Sequence, residues 1–310
     1  MARRLLVVLA STPAALIGCH ASEDGLPGSL PSTPPTSVTQ VTSGGFQSPT
    51  DVVASPDGRS FYFAAWGMDG VPGLFQVAAA PGSAASVLAA GAPLEAPLGL
   101  VMSCDGKTLY VADLGGEAGA IIAASTAGGA PVPLAATGVS RPGGLALGPD
   151  CKTLFVTGRL TDDTPAVFAL PVGGGSARVI YQGAPLVAPT GLYVDSDEVA
   201  WVMDHRAQGQ DGEGVLFAIP SDGSAAGEVA SNLRMGTPGG VSLTAGGGTA
   251  VMATRDADGH GQLTTVDIAS GELAQLPVPE IKDPAGLRTA RQAGVFAIVD
   301  SESAAIFRAQ

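Results

Sequence analysis

The hydrophobic pattern of the chain repeats at a nearly constant interval. Each repeat begins at a proline and continues through a short apolar run, a turn containing Gly or Asp, and a second apolar run. Two examples are "APLGLVMSCDGKTLYVADL" (96–114) and "RPGGLALGPDCKTLFVTGR" (141–159). Short apolar runs bounded by turn residues are typical of β-strands. The pattern therefore predicts paired strands rather than helices.

Six segments share this pattern, and we name them units 1 to 6 in chain order. The intervals between their prolines are 48, 45, 47, 49 and 46 residues, for Pro49, Pro97, Pro142, Pro189, Pro238 and Pro284. A steady period in the forties is typical of solenoids and propellers.

The content of a unit predicts four antiparallel strands. A Gly-rich loop leads to a third strand such as "GVLFAIP" (214–220), and a turn leads to a weaker fourth such as "ARVIYQG" (177–183). Four-stranded sheets repeated radially are the blades of a β-propeller. The sequence thus predicts an all-β, six-bladed β-propeller with four antiparallel strands per blade.

The two ends of the repeat array predict how it closes. Unit 6 stops after its third strand, "AAIFRAQ" (304–310), whereas "SVTQVTSG" (37–44) precedes unit 1 as an extra strand. We expect the N-terminal strand to complete the last blade, because this removes the exposed edge of an open array.

The N-terminus has the pattern of an export signal. "MARRLLVVLASTPAALIGCH" (1–20) has a basic start and an apolar run too short to span a membrane. The run ends at Leu16-Ile17-Gly18-Cys19, which is similar to a bacterial lipobox. We predict a lipoprotein signal peptide at 1–18, with Cys19 lipidated. The alternative is an ordinary signal peptide that contains a cysteine.

The residues after Cys19 predict a tether and a location. Residues 19–36 are polar and rich in Pro and Ser, which predicts a flexible tether. Residues 37–310 then form the propeller. The expected product is an exported lipoprotein of the bacterial cell envelope, in the outer membrane or periplasm or at the cell surface. Acyl chains on Cys19 would insert in the lipid bilayer, and His20 favours an outer membrane where the cell has one.

The charge composition restricts the classes of partner that the chain can bind. Charged residues make up 14% of the chain, and its net charge is −13 at pH 7. Nucleic-acid binding requires a basic surface, so no nucleic-acid partner is predicted. The 44 Gly and 24 Pro residues fit many short strands joined by turns.

The P-x-G-[LV] start of the units, the "SPDG" turn (55–58) and the "LYVAD" strand (109–113) carry a family resemblance. They resemble NHL-type and SMP-30/gluconolactonase-type six-bladed propellers over nearly all of 37–310. In SMP-30 relatives a Glu two residues before the first Pro, with Asn and Asp after later prolines, holds a divalent metal. This resemblance implies a metal-dependent hydrolase.

The metal-binding positions of that family are altered in this chain. Gln47 stands where the first Glu is expected, and Glu95 precedes Pro97 without partners at the other positions. Hard cations prefer carboxylate and amide oxygens. The residues after the prolines do not supply them, being Thr50, Leu98, Gly143, Thr190, Gly239 and Ala285.

Strand alternation divides the predicted propeller into two faces. Loops between second and third strands share one face, the loop face, with the connections between units; turns between first and second strands lie on the other, the turn face. The loop-face segments hold many of the 28 acidic residues, which predicts a negative face attracting cations or basic partners. The alternative is that loops are simply polar in an acidic chain. The acidic residues of the loop-face segments are Asp69, Asp113, Glu117, Asp162, Asp163, Asp204, Asp211, Glu213, Asp256, Asp258, Asp300 and Glu302.

Five loop-face residues form the predicted ligand-binding set. Asp113, Asp204 and Asp300 end the second strands of alternate units. They either converge on the axial channel or accept hydrogen bonds from backbone N–H groups. Trp66 offers a stacking surface or packs between blades. His205, in the longest loop, contacts the ligand or is a solvated loop histidine.

A metal site is a further hypothesis. "DADGHGQLTTVD" (256–267) partly matches a calcium loop through Asp256 and Asp258. His260 occupies a position that normally holds Asp or Asn, and a strand is expected to follow instead of a helix. Calcium or another divalent cation is thus possible there, and no other cofactor is predicted.

The two remaining cysteines, Cys104 and Cys151, lie in first-to-second turns of units 2 and 3. Both turns belong to the turn face, and an exported protein meets an oxidising compartment. A disulfide is therefore predicted, although a two-residue offset between the turns leaves its geometry open.

These observations favour a binding or scaffold module that takes a small ligand, cation or envelope protein on its acidic loop face. One alternative is a hydrolase of the SMP-30/gluconolactonase type. Another is a structural spacer of the cell envelope. No catalytic residue is predicted, and the sequence contains no Gly-x-Ser-x-Gly motif.

Overall fold

The computed structural model describes residues 30–209 and 213–310. Throughout those two ranges the regular elements are β-strands, joined by turns and short loops. None of the described segments is a helix with the length and apolar character needed to cross a membrane.

The strands follow the six units in order. Unit 1 contains β2 (Phe46–Ala54), β3 (Ser60–Gly67), β4 (Pro72–Ala78) and β5 (Ser86–Ala90), and unit 2 contains β6 (Pro97–Met102), β7 (Thr108–Asp113), β8 (Ala120–Ser125) and β9 (Val132–Pro133). Unit 3 contains β11 (Leu145–Leu147), β12 (Thr153–Arg159), β13 (Pro165–Pro171) and β15 (Arg178–Gln182), and unit 4 contains β16 (Pro189–Val194), β17 (Ala200–Asp204), β18 (Glu213–Ile219) and β19 (Gly227–Arg234). Unit 5 contains β20 (Val241–Leu243), β21 (Thr249–Arg255), β22 (Gly261–Asp267) and β23 (Leu273–Pro277), and unit 6 contains β24 (Pro284–Thr289), β25 (Phe296–Asp300) and β26 (Ala305–Ala309).

Within each unit neighbouring strands pair antiparallel, in chain order from the first strand outwards. Units 4 and 5 are also joined by one β19–β21 pair, Arg234 with Arg255. Two short segments, β10 (Ala136–Thr137) and β14 (Gly175–Ser176), form a small parallel ribbon between units 2 and 3. The architecture is all-β, as the sequence predicts.

The N-terminal strand β1 (Val38–Ser43) lies beside the last strand of the chain. It pairs antiparallel with β26, from Val38 opposite Ala309 to Ser43 opposite Ala305. The resulting sheet has the order β1-β26-β25-β24. The two ends of the described chain are thus held together by main-chain hydrogen bonds.

The hydrophobic core consists of clusters that each join two units. Five of the clusters join consecutive units along the chain. A further cluster joins unit 1 to unit 6 and contains Phe46, Phe63 and Phe75 together with Val299 and Ile306. The Phe46 and Phe63 ring centroids are 4.6 Å apart. Because each sheet is covered by its neighbours, burial of apolar surface stabilises the array rather than any single unit.

The glycine of the P-x-G motif allows the first strands to approach one another closely. A Cβ atom on Gly144 would collide with the carbonyl oxygen of Thr190, and one on Gly191 would collide with that of Gly239. Only a residue without a side chain fits between adjacent backbones at this distance. The motif therefore marks packing at the centre of the molecule.

The turn face contains a covalent link. Cys104 of unit 2 and Cys151 of unit 3 are joined in a disulfide, with their Cα atoms 5.9 Å apart. The two-residue offset between their turns is therefore compatible with bonding.

Residues 30–36, within the predicted tether, lie against the sheets. The amide of Ala245 donates to the carbonyl of Pro31, and the amide of Thr36 donates to the carbonyl of Gln310. Pro31 and Pro35 are buried. This part of the predicted tether is fixed to the body on the turn face, where Ala245 begins a turn of unit 5.

Candidate functional site

The three aspartates that end second strands are buried beneath the loop face. Asp204 and Asp300 have no exposed surface, and Asp113 is 2% exposed. Their carboxylates accept hydrogen bonds from backbone amides, which is the alternative to their converging on the axial channel. They are therefore inaccessible to a ligand.

Each of these carboxylates holds the connection that enters its unit. Asp204 accepts from the amides of Val187 and Ala188, at 2.7 and 3.0 Å. Asp113 accepts from Glu95 and Ala96 in the same manner. A carboxylate that receives several N–H donors in a buried position fixes the local backbone strongly. These two aspartates thus fix the connections into units 2 and 4.

Asp300 repeats this arrangement in unit 6. Its carboxylate accepts from the amides of Lys282 and Asp283, at 2.8 and 2.9 Å. It also accepts from Ser303, whose hydroxyl donates to Oδ2. The connection into unit 6 and the following loop are therefore held by a single side chain.

Trp66 and His205 remain at the level of the loop face. Trp66 is half-buried at the end of β3, where it pairs with Pro72 of β4. His205 is half-buried, with Nδ1 3.3 Å from the Thr190 hydroxyl. The five residues of the predicted ligand-binding set are therefore not one site: three are buried and two lie in separate units.

A groove of about 740 Å³ opens on the loop face at units 4, 5 and 6. Its charged side chains are arranged in pairs: Arg234 lies 3.9 Å from Glu213, and Lys282 lies 3.9 Å from Glu302. Arg255, which also lines the groove, binds Asp283 at 3.1 Å, and Asp283 lies outside the lining. The remaining charged residues in the lining are Asp256, Asp258 and His260. The groove therefore presents charges of both signs on one concave surface.

The predicted cation site lies in this groove. Asp256, Asp258 and His260 each place one ligand atom within 4.8 Å of the others. Asp256 also accepts from the amides of Asp258 and His260, at 2.9 and 2.8 Å. These bonds, with the backbone amide of His260 first, lower the pKa of Asp256. Asp267 is the last residue of β22, at the opposite end from the cluster, and accepts a hydrogen bond from the amide of Ser270. It therefore does not supply the ligand that a calcium loop needs at this position.

The positions altered relative to the SMP-30 pattern have structural partners. The Gln47 side chain donates to the carbonyl of Gly67 at 2.9 Å. Thr50 donates through its hydroxyl to the carbonyl of Pro97 at 3.0 Å. Glu95 is exposed at the loop face. The first two of these side chains therefore stabilise the join between strands and units.

Sequence reasoning overlooked a buried ion pair at the centre. Arg288 of unit 6 binds Asp51 of unit 1 at 3.0 Å, and both side chains are almost fully buried. Arg288 also donates to the carbonyl of Leu192 in unit 4. Asp51 further accepts from the amide of Leu100 in unit 2 at 2.9 Å. The pair therefore connects first strands from several units.

A sequence signal for this pair exists. Asp51 occupies the position that is glycine in the other units, as "PTDV" (49–52) against "PLGL" (97–100) shows. Its partner is separated by 237 residues, so spacing along the chain gives no indication of it.

The predicted lipidation site Cys19 lies outside the described residues, as does Asp211 of the acidic loop set. Lipidation remains a prediction.

Comparison with protein-family models gives no match. No curated protein matches the chain either. The resemblance to NHL and SMP-30/gluconolactonase proteins therefore has no support from sequence families.

Solved structures do match. A chain of a nidogen/laminin complex is 17% identical, with a TM-score of 0.62 over 80% of this chain and 88% of that chain. A protein of unknown function from Bacteroides thetaiotaomicron is 13% identical, with a TM-score of 0.63 over 92% and 74%. Virginiamycin B lyase from Staphylococcus aureus is 14% identical, with a TM-score of 0.54 over 88% and 98%. The fold is β-propeller-like. At these identities the likeness concerns the fold alone.

Proposed function

We propose that this chain is an exported, lipid-anchored binding module built on a six-bladed β-propeller. The blades would be the six units, with β1 completing the last one. The pairing of β1 with β26 and the shared core of units 1 and 6 support a closed ring. Deleting residues 37–44 would then lower the melting temperature sharply. An unchanged melting temperature would contradict ring closure.

The observation that carries the binding role is the groove on a rigid loop face. Its charged rim comes from units 4, 5 and 6, and the connections into units 4 and 6 are held by Asp204 and Asp300. A preformed surface loses less conformational entropy on binding than a mobile one. The groove is open and polar, which suits a partner segment or cation better than a buried apolar ligand.

The net charge of −13 favours a cationic or basic partner. Exposed acids around the loop face include Glu117, Asp162, Asp258 and Glu302. Attraction to a basic partner would accelerate association and weaken as salt is added.

The test compares two charge-matched double variants. Asp258→Asn with Glu302→Gln removes two charges from the groove, whereas Glu228→Gln with Glu272→Gln removes two exposed charges elsewhere. We expect immobilised wild type and the second variant to capture the same envelope proteins, and the groove variant to lose them. Equal capture by both variants would reject the groove as the binding site.

Lipid anchoring has its own test. Growth with a labelled fatty acid should label the wild-type chain and leave the Cys19→Ser variant unlabelled. Label in both, or release of the wild type into the medium, would contradict the anchor.

A divalent-cation site at Asp256 and Asp258 stays a prediction. Asp258→Asn removes one oxygen ligand and leaves the Asp256 turn bonds in place. Calorimetric titration with calcium should give a heat that this variant loses and that Asp162→Asn retains. Absence of heat with wild type would reject the site.

A further inference from the structure

A second cavity lies on the turn face, at the axial ends of the first strands. Its volume is about 380 Å³, within the range of about 300–1,000 Å³ typical of small-molecule pockets. It is lined by residues from all six units, and Leu30 from the N-terminal segment contributes to its rim. It is separate from the loop-face groove.

The cavity has an apolar side and a polar side. Units 1 to 3 contribute apolar side chains, among them Val53, Val101 and Leu147. Units 4 to 6 contribute most of the polar groups, namely Tyr193, Asp195, Ser196, Ser242, Thr289, Arg288 and Arg291. Ser103 of unit 2 and Val194 of unit 4 are the exceptions on the two sides. Such a division suits a ligand with an apolar body and one polar end.

Arg288 supplies a buried, incompletely satisfied cation in the cavity lining. It is 6% exposed, and its two terminal nitrogens bind Leu192 and Asp51. Its Nε is buried and has no hydrogen-bond partner among the described residues. Because this atom is enclosed, it offers the cavity no free donor, and the charge of Arg288 is largely balanced by Asp51 at 3.0 Å. Arg288 therefore forms a fixed polar wall beside the position of Arg291.

Arg291 supplies a second cation nearer the mouth. It forms no hydrogen bond or ion pair with any described residue. The residue is exposed at the cavity, and desolvation by the surrounding chain lowers its pKa, against the opposing effect of Tyr193. The planar guanidinium fits a carboxylate in bidentate geometry.

The acidic group in the lining has its oxygens occupied. Asp195 accepts from the amides of Asp197 and Val199, both at 2.9 Å, and from the Trp201 ring nitrogen at 2.8 Å. The free hydrogen-bonding capacity of the polar side is therefore mainly donor capacity. Donors beside an apolar wall favour an amphiphilic anion over a cation.

We propose that this axial cavity binds a small apolar carboxylate. The carboxylate would bind Arg291 next to Arg288, and the apolar body would contact the side chains of units 1 to 3. This site is independent of the loop-face function proposed above.

The test uses three probes with the same six-carbon chain and different polar ends on the full chain: hexanoate, hexanamide and hexylamine. Calorimetry should give saturable hexanoate binding, hexanamide binding about tenfold weaker, and the weakest binding for hexylamine. A charge-assisted pair of about 1.4 kcal/mol corresponds to that factor. Hexylamine binding as tightly as hexanoate would overturn the proposal, as would absence of saturable hexanoate binding.

Matched variants locate the site. Arg291→Gln should weaken hexanoate about tenfold and remove its advantage over hexanamide. Arg59→Gln makes the same change at an exposed turn-face arginine outside the cavity and should have no effect. Equal effects of the two variants would overturn the proposal.

Val101→Phe fills the apolar side without touching the buried Arg288 pair, which a direct substitution would disturb. It should abolish binding of both hexanoate and hexanamide, whereas retained binding would place the ligand elsewhere.

Discussion

The two faces of this molecule use aspartate in different ways. On the loop face, Asp113, Asp204 and Asp300 are buried and bind the connections into their units. On the turn face, Asp57 and Asp105 are exposed and bind only within their own turns, each with a serine hydroxyl two residues earlier. The same side chain therefore fixes tertiary structure on one face and a local turn on the other.

This difference shows how burial decides the role of a charge. A buried carboxylate must be fully hydrogen-bonded, so losing it exposes several unsatisfied amides. An exposed carboxylate competes with water for the same bonds and contributes little. Substitution of an aspartate should consequently lower the free energy of unfolding much more on the loop face than on the turn face.

The largest effect is expected at the loop face. Asp204→Ala removes a fully buried carboxylate and leaves the partly buried amides of Val187 and Ala188 without their acceptor. We expect the free energy of unfolding to fall by about 3 kcal/mol or more, measured by urea denaturation. A loss below about 1 kcal/mol would show that water or backbone relaxation replaces the carboxylate.

The disulfide should come next, because it is a covalent link between units on the turn face. Cys104 and Cys151 are 47 residues apart. A disulfide that restricts the unfolded chain typically contributes about 2–4 kcal/mol. Cys104→Ser with Cys151→Ser should lower the denaturation midpoint accordingly, and reductant should then have no further effect. Two titratable thiols in unreduced wild type would contradict the bond.

A turn-face aspartate should matter less. Asp57 accepts from the Ser55 hydroxyl at 2.6 Å and from the Arg59 amide at 3.1 Å, in an exposed turn. Asp57→Ala should reduce the free energy of unfolding by less than about 1 kcal/mol. The comparison between the two faces fails if this loss equals that of Asp204→Ala.

The smallest effect is a pH dependence at the same turn. The Ser55 hydroxyl and the Arg59 amide lower the pKa of Asp57. A carboxyl whose pKa is lower in the folded state stabilises the fold above the unfolded value of about 3.9, and loses that contribution as pH falls through the folded value. The stability difference between wild type and Asp57→Asn should therefore shrink between pH 6 and pH 3. A difference that grows on acidification would contradict the assignment.

Much of the architecture follows from local sequence. The proline spacing and apolar runs predict the strands of the six units, and the all-β, propeller-like fold is confirmed, whereas the parallel ribbon of β10 and β14 is not predicted. Strand signals are local because turns and alternation act over a few residues. The P-x-G glycine, by contrast, is needed because the backbone of the next unit lies against it, and that contact cannot be read from the local sequence.

The site was harder to predict because it depends on burial and distant contacts. The acidic composition of the loops says nothing about which carboxylates are enclosed, so the sequence alone groups Asp113 and Asp204 with exposed acids. The contact of Asp51 with Arg288 joins the first unit to the last. A glycine replaced by Asp within a repeat is the kind of exception that indicates such a contact.

The hydrogen bond between Pro31 and Ala245 fixes the N-terminal segment on the turn face, so that face would be the one tied to the bilayer if Cys19 carries acyl chains, as proposed. Leu30 is the eleventh residue after Cys19, and eleven residues of chain span at most about 40 Å. The cavity bearing Arg291 would then stay near the lipid surface, and the groove would point towards whatever lies beyond it. An amphiphile leaving the bilayer would reach one opening, and a neighbouring protein the other.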